Sequence, residues 1–227
     1  MIIILSKVFH FAAHHPFWLM IALVAAAGVL ATFLGRRTGT LGGIALIPIA
    51  FVLGMTNVMT GHWMDAIFVN RVGVYGSAVI IDRRDANFML NDRPVSYFDT
   101  LVKTADGREI LTNITEMSAA IYPLRNAILI PPMNEHFVIK YVPGDEKNFV
   151  IMSDESDYGK QRLLREARQP VDHARRLYEA SPANPDFVRQ YREALKTFLS
   201  EQATNAPADQ LEKYRTVLEG LAQKARM

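Results

Sequence analysis

Between Lys7 and Asp65 the chain carries only two charged side chains, Arg36 and Arg37, and they stand together. No other feature restricts the fold as tightly. Before them, residues 17–34 (FWLMIALVAAAGVLATFL) form an uncharged apolar run of 18 residues. At 1.5 Å per residue such a helix is about 27 Å long, close to the roughly 30 Å of a bilayer's hydrocarbon core. After them, residues 41–60 (LGGIALIPIAFVLGMTNVMT) form a second run of similar length. Pro48, Gly54 and Asn57 interrupt it, and a membrane helix tolerates such residues where a neighbour packs against them. Soluble helices of this length carry a polar stripe. The expectation is therefore a transmembrane hairpin over residues 17–64, with spans at 17–34 and 41–60, and not two buried helices of a soluble core.

A cleaved signal peptide is the competing reading. The N-terminal segment 1–16 offers one positive charge, Lys7, and a second apolar run follows the first at once, which favours two retained spans. GRRTGT (35–40) then reads as a tight turn between antiparallel helices. Trp18 at the start of the first span and Trp63 after the second fall at one interface, where indoles prefer to sit. Ala22, Ala26, Ala27 and Ala31, with Gly42 and Gly43 opposite, permit close helix approach. Arg36 and Arg37 set the topology: counted against Lys7 and Arg71, they favour a cytoplasmic turn, with everything after Asp65 outside the cytoplasm. The alternative is a cytoplasmic soluble part.

Charge elsewhere is balanced. All 23 Asp and Glu lie at or beyond Asp65, as do all but three of the 25 Lys and Arg. Twenty-two basic residues thus face 23 acidic ones, which leaves no basic footprint for nucleic acid. The chain has no cysteine, so disulfides, thiolate metal sites and cysteine nucleophiles are excluded.

From Arg71 the pattern changes to alternation and turn residues. Strands are expected at 74–82, 96–104, 108–117, 127–132 and on either side of PGDEKN (143–148), with ADG (105–107) as a hairpin turn. Val138, Lys140 and Val142 alternate with Ile139 and Tyr141. Residues 71–153 therefore read as a small all-β barrel or sandwich. GSAVII, the strand before ADGRE, and the ending VIKYVPG-x-x-x-NFVI make residues 73–152 similar to small β domains of bacterial membrane proteins of unknown function. The resemblance implies an extracytoplasmic, non-catalytic module and brings no site residues. In those families helices flank the domain, whereas here both precede it.

Residues 154–227 read as a C-terminal α-helical bundle, giving an α+β chain overall. Pro170 suits the first turn of a helix, and Asn184 as N-cap with Pro185 at N1 starts another. Phe187, Tyr191, Ala194, Leu195 and Phe198 form one stripe; Leu211, Tyr214, Leu218, Leu221 and Ala225 form the next. Residues 174–195 resemble the junction of a tetratricopeptide-type helical hairpin, which implies a surface for another protein. A degenerate repeat and a plain three-helix bundle both fit.

Motifs for chemistry are sparse. His10, His14 and His15 lack a nearby carboxylate in sequence to complete a metal site and read, like His62, as interface residues. DESD (154–157) lacks the spacing of a calcium loop and reads as the acidic start of a helix. No nucleophile elbow, P-loop or dinucleotide fingerprint occurs. The expectation is a non-enzymatic protein of the bacterial inner membrane without cofactor or metal. It engages the lipid bilayer and a protein partner or a second copy through its helical tail. An accessory subunit or ligand-binding enzyme with a small-molecule site in the β domain is the alternative.

Overall fold

The computed structural model describes residues 1–38, 41–90, 93–116, 118–125 and 129–224, with the backbone alone at 37, 38, 41, 42, 86–90, 93, 94 and 224. It forms two compact units, Met1–Ser156 and Asp157–Met227.

The first unit opens with three helices: α1 (Ile2–His14), α2 (Pro16–Thr38) and α3 (Leu46–Val72), the last preceded by a 3-10 turn at Leu41–Ala45. This differs from the expected layout in three ways. The N-terminal segment is itself helical. Arg36 and Arg37 lie in the last turn of α2 and not in the connecting turn, a position where cations meet the negative end of the helix dipole. The second span runs on to Val72, so Trp63 lies within a helix and not after one.

Glycine ends α3. The Gly73 N–H donates to the Val69 carbonyl at 2.8 Å as the backbone turns extended. A Cβ there would lie 2.6 Å from that carbonyl oxygen, so no other residue fits without displacement. Strand β1 (Val74–Leu90) starts at the next residue. It is followed by β2 (Arg93–Lys103), β3 (Glu109–Thr115), β4 (Ala120–Tyr122), β5 (His136–Val142) and β6 (Asp145–Met152).

These strands make one curled, mixed sheet in the order β3-β2-β1-β5-β6-β4, antiparallel except for β4 beside β6. It is a half-barrel with β3 and β4 as edges, and neither a closed barrel nor a sandwich. The reason lies in α3. Ala66 and Val69 are fully buried against Ala120, Val150 and Met152, so a helix supplies the second layer that a sandwich takes from another sheet. The opposite face of the sheet carries Ile80, Val102, Phe137, Ile139 and Ile151, each at most 2% exposed. Gly76 lets the Tyr141 ring cross β1, since a Cβ there would meet that ring at 3.0 Å. The Tyr141 hydroxyl in turn accepts from the Ala105 N–H at 2.9 Å.

The ADG hairpin forms as expected, with Gly107 at φ +85° and Lys103 paired to Glu109. The β5–β6 turn is shorter than PGDEKN suggests: Val142 pairs with Asp145 around Pro143 and Gly144, the latter at φ +89°. Of the expected strand at 127–132, residues 127 and 128 lie outside the described residues and 129–132 are irregular.

The second unit contains α4 (Asp157–Ala180), α5 (Pro185–Glu201) and α6 (Ala208–Lys224). Helix α4 runs unbroken through Pro170, against expectation. An interior proline costs about 3 kcal/mol, and here Val171 and Ala174, immediately beyond it, are buried in the unit's core. Asn184 caps α5 through its side chain, accepting from the Asp186 N–H, with Pro185 in the first turn. Tyr191, Leu195 and Phe198 of α5 pack between Val171 and Ala174 on α4 and Leu211, Tyr214 and Leu221 on α6. Phe198 and Tyr214 meet edge to face at 5.1 Å. Ala225 lies outside the described residues.

Candidate functional site

Small residues bring the long helices together. A Cβ on Gly43 would lie 2.9 Å from the Ala31 backbone, and one on Gly54 would lie 2.4 Å from the Met20 side chain. One on Gly61 would lie 3.3 Å from the Ala12 carbonyl oxygen. From Ala31 back to Met20 is eleven residues, as is Gly43 to Gly54, whereas Met20 back to Ala12 is eight against seven from Gly54 to Gly61. Helices α1 and α2 therefore both run antiparallel to α3, with a register that shifts by about one residue across the break before Pro16.

Two segments, Pro16–Arg36 and Gly43–Val72, are long and apolar enough to cross a membrane. Only 6% and 17% of their most apolar stretches is buried. Trp18 and Trp63 are 67% and 41% exposed. Both lie toward the end of the hairpin opposite Arg36. With Met20 set against Gly54, Trp18 falls near residue 56, so the two indoles are separated by about 10 Å along α3. Arg36 is exposed; the Arg37 side chain is outside the described ones.

Behind this apolar surface lies a polar junction of α1, α3 and β6. Ser6, Asp65 and Asn148 are 0%, 1% and 2% exposed. The Asn148 amide donates to Asp65 Oδ1 at 2.9 Å, to Ser6 Oγ at 3.1 Å and to the Ser6 carbonyl at 3.3 Å. Ser6 Oγ donates to Asp145 Oδ2 at 2.7 Å. One residue thus ties the N-terminal helix to the long helix and the sheet. Among the described residues, Asp65 Oδ2 and His10 Nδ1 are buried without a hydrogen-bond partner. Further along, Asn57 Nδ2 donates to the Ala12 carbonyl at 2.9 Å. Lys140 Nζ, on β5, donates to the Asn70 carbonyl and side chain at 3.0 and 2.9 Å.

The histidines do not converge on a metal: among the described residues no three His, Cys, Asp or Glu side chains form such a group. His10 and His14 are one turn apart, with ring centroids 3.9 Å apart, and the His14 ring lies 3.0 Å from the His10 carbonyl. Burial lowers the pKa of His10 below its ordinary value. Burial first, and then the neighbouring His10, push His14 down to about 4. The junction's chemistry is hydrogen bonding around two carboxylates, Asp65 and Asp145. Its Ser6 hydroxyl is committed to a carboxylate and not to a basic nitrogen, so it is not set up as a nucleophile.

Sequence reasoning missed Ser6, Asp65 and Asn148 as a group. The available signal was Asp65 itself, the first carboxylate of the chain, set in helical continuation of an apolar span. In the helical unit, Tyr178, Pro182, Pro185, Val188, Arg192 and Leu221 help to line a cavity of about 400 Å³. No family model, curated protein or solved structure matches the chain.

Proposed function

We propose that the chain is a non-enzymatic, membrane-anchored interaction or assembly protein of the bacterial inner membrane, which presents its sheet and helical tail to a protein partner. The observation that carries this reading is the exposure of its most apolar helices. A core helix of a soluble protein is mostly buried, whereas here 6% of the most apolar stretch of α2 is. Leaving so much apolar surface in water is unfavourable at about 25 cal/mol per Å², and a bilayer removes that cost. Cleavage of a signal sequence would take away α1 and α2, uncovering the Gly54 face and stripping Ser6 from Asn148. That dependence supports retention.

The filled inner face of the sheet favours presentation over enclosure of a small ligand. The Arg36–Arg37 pair favours a cytoplasmic α2–α3 connection, with the soluble parts in the periplasm. Carbonate washing of membranes tests the anchor: the chain stays in the pellet, and recovery in the supernatant refutes the reading. Crosslinking in native membranes followed by capture then identifies the partner.

A further inference from the structure

The cavity of about 400 Å³ in the helical unit has one-sided chemistry. Pro182 and Pro185, on either side of the turn between α4 and α5, form one wall, with Val188 of α5 and Leu221 of α6 beside them. The turn is closed by the Asn184 N–H, which donates to the Ser181 carbonyl at 3.1 Å. Proline has no N–H, so this wall presents carbon and gives a ligand few donors. The volume sits at the small end of the roughly 300–1,000 Å³ usual for ligand clefts.

Charge in the cavity comes from Arg189 and Arg192. Arg189 is neutralised by Asp186 at 2.8 Å. Glu179 and Glu193, which flank the cavity in sequence, are taken by Arg175 at 3.6 Å and Lys196 at 3.1 Å. Arg192 enters no ion pair among the described residues, and its Nε is buried there without a hydrogen-bond partner. A half-buried guanidinium beside an apolar wall has given up water without a compensating partner. An anion placed against it restores what was lost.

We infer that this cavity binds a small carboxylic acid with an apolar body, its carboxylate paired to the Arg192 guanidinium. The two groups match as planar forks joined by parallel hydrogen bonds. One uncompensated positive charge selects one negative charge, so a monoanion fits and a phosphate ester or polyanion does not. The carbon-lined wall selects an aliphatic or aromatic body over a sugar. A free organic acid and the C-terminal residue of a peptide carry this same chemistry. The inference is independent of the membrane reading, because the cavity lies wholly within the unit Asp157–Met227.

The test titrates the full chain, purified in detergent, with para-trifluoromethylbenzoate and with the matching amide, read by fluorine NMR. The acid should saturate, with an affinity at least about tenfold higher than for Arg192→Gln, the loss expected of one charge-assisted pair. The amide should bind both proteins alike, which subtracts partition into the micelle. Ala183→Trp fills the cavity while leaving the guanidinium charge in place, and should weaken the acid by a similar factor. Neither Ala183 nor Arg192 is fully buried, so neither change empties the core. Equal affinity of the acid for the unsubstituted chain and Arg192→Gln, equal affinity for acid and amide, or no saturable binding would each overturn the proposal. The peptide Gly-Gly-Leu then separates the two sources. Displacement of the benzoate by its free acid and not by its C-terminal amide assigns the site to a chain terminus; benzoate binding that the peptide acid does not displace assigns it to a free acid.

Discussion

Replacing Asn148 with Ala tests whether the buried junction holds α1 in place. The substitution removes a donor from Asp65 Oδ1 at 2.9 Å and from Ser6 at 3.1 and 3.3 Å. A neutral hydrogen bond contributes about 1 kcal/mol net, and one to a charged group about 1.5–3 kcal/mol. The two Ser6 contacts share one donor group and are long, so together they count as about one bond. Only the Ser6 contacts tie α1, since Asp65 lies on α3, so a loss of about 1 kcal/mol follows for the attachment of α1. That corresponds to roughly a fivefold faster opening, at about 1.4 kcal/mol per decade. Amide hydrogen exchange read by mass spectrometry, on protein in lipid nanodiscs, follows the α1 peptides separately from those of the sheet. Protection in α1 should fall by about fivefold while β1 and β2 change little. No change in α1 would show that the junction does not hold the helix, and that its burial is incidental. Asn148→Asp should do more damage still, since it adds a third carboxylate beside Asp65 and Asp145.

Other substitutions probe separate links. Gly54→Leu drives a side chain into Met20 and should lower the thermal stability of the detergent-solubilised protein by several degrees, whereas Gly28→Leu, with nothing within 4 Å of its Cβ, should not. Leu195→Ala empties a fully buried position in the helical unit and should cost about 2–5 kcal/mol, read as an earlier loss of helical circular dichroism. For pH, His14 is held neutral in the fold, with its pKa pushed to about 4 from an unfolded 6.5. The unfolded chain therefore binds the extra proton as pH falls through 6.5, and the His14 contribution to stability is lost between about 6.5 and 4. His14→Gln should flatten the acid limb of a melting-temperature profile in that window, and an unchanged limb would refute the assignment. Replacing Arg36 and Arg37 with Gln should blur or invert the topology reported by alkaline phosphatase fused after Met227; strong cytoplasmic fluorescence from an unsubstituted fluorescent fusion would reverse the orientation proposed here.

The two long apolar helices were legible because such helices announce themselves by what they lack. A run without charge needs no long-range information to be recognised. Its upper end was not legible for the same reason. Asp65 reads as the point where an apolar helix stops, yet its carboxylate is buried and one of its oxygens takes a donor from Asn148, 83 residues away. Helix α3 passes straight through it. Helix α1 was hidden by its short length and by its mixture of His, Lys and Ser; the partners of Ser6 lie on β6, more than a hundred residues away. In the sheet, the two hairpins followed from local turn chemistry at Gly107 and Gly144. Strand β4 is three residues long and pairs in parallel with β6, so nothing in its own composition marks it. The extension of β1 past Asp82 looks like a charged linker, and the cross-strand pair of Arg84 with Asp99 on β2 accounts for it. Pro170 misled because a proline's cost is local, whereas the packing of Val171 and Ala174 that offsets it depends on α5 and α6.

The consequence for function lies in how α3 ends. A domain tethered to a membrane by a flexible linker moves independently of its anchor. Here a single residue, Gly73, separates the last turn of α3 from the first strand of the sheet, and Ala66 and Val69 of that same helix are completely buried in the sheet's outer core. Lys140 on β5 closes a further hydrogen bond to the Asn70 carbonyl. Any tilt or rotation of α3 must therefore carry the sheet with it, because the contacts that would have to slip are packed and hydrogen-bonded rather than solvated. Helix α1 adds a second attachment through Asn148. If the chain positions partners relative to a bilayer, as proposed above, this gives a fixed platform and not a tethered hook. Inserting three Gly-Ser pairs after Gly73 should uncouple the two without unfolding either. A partner held by crosslinks to the sheet should then be lost while carbonate resistance persists. Retention of the partner at the original yield would show that rigidity at Gly73 has no part in the interaction.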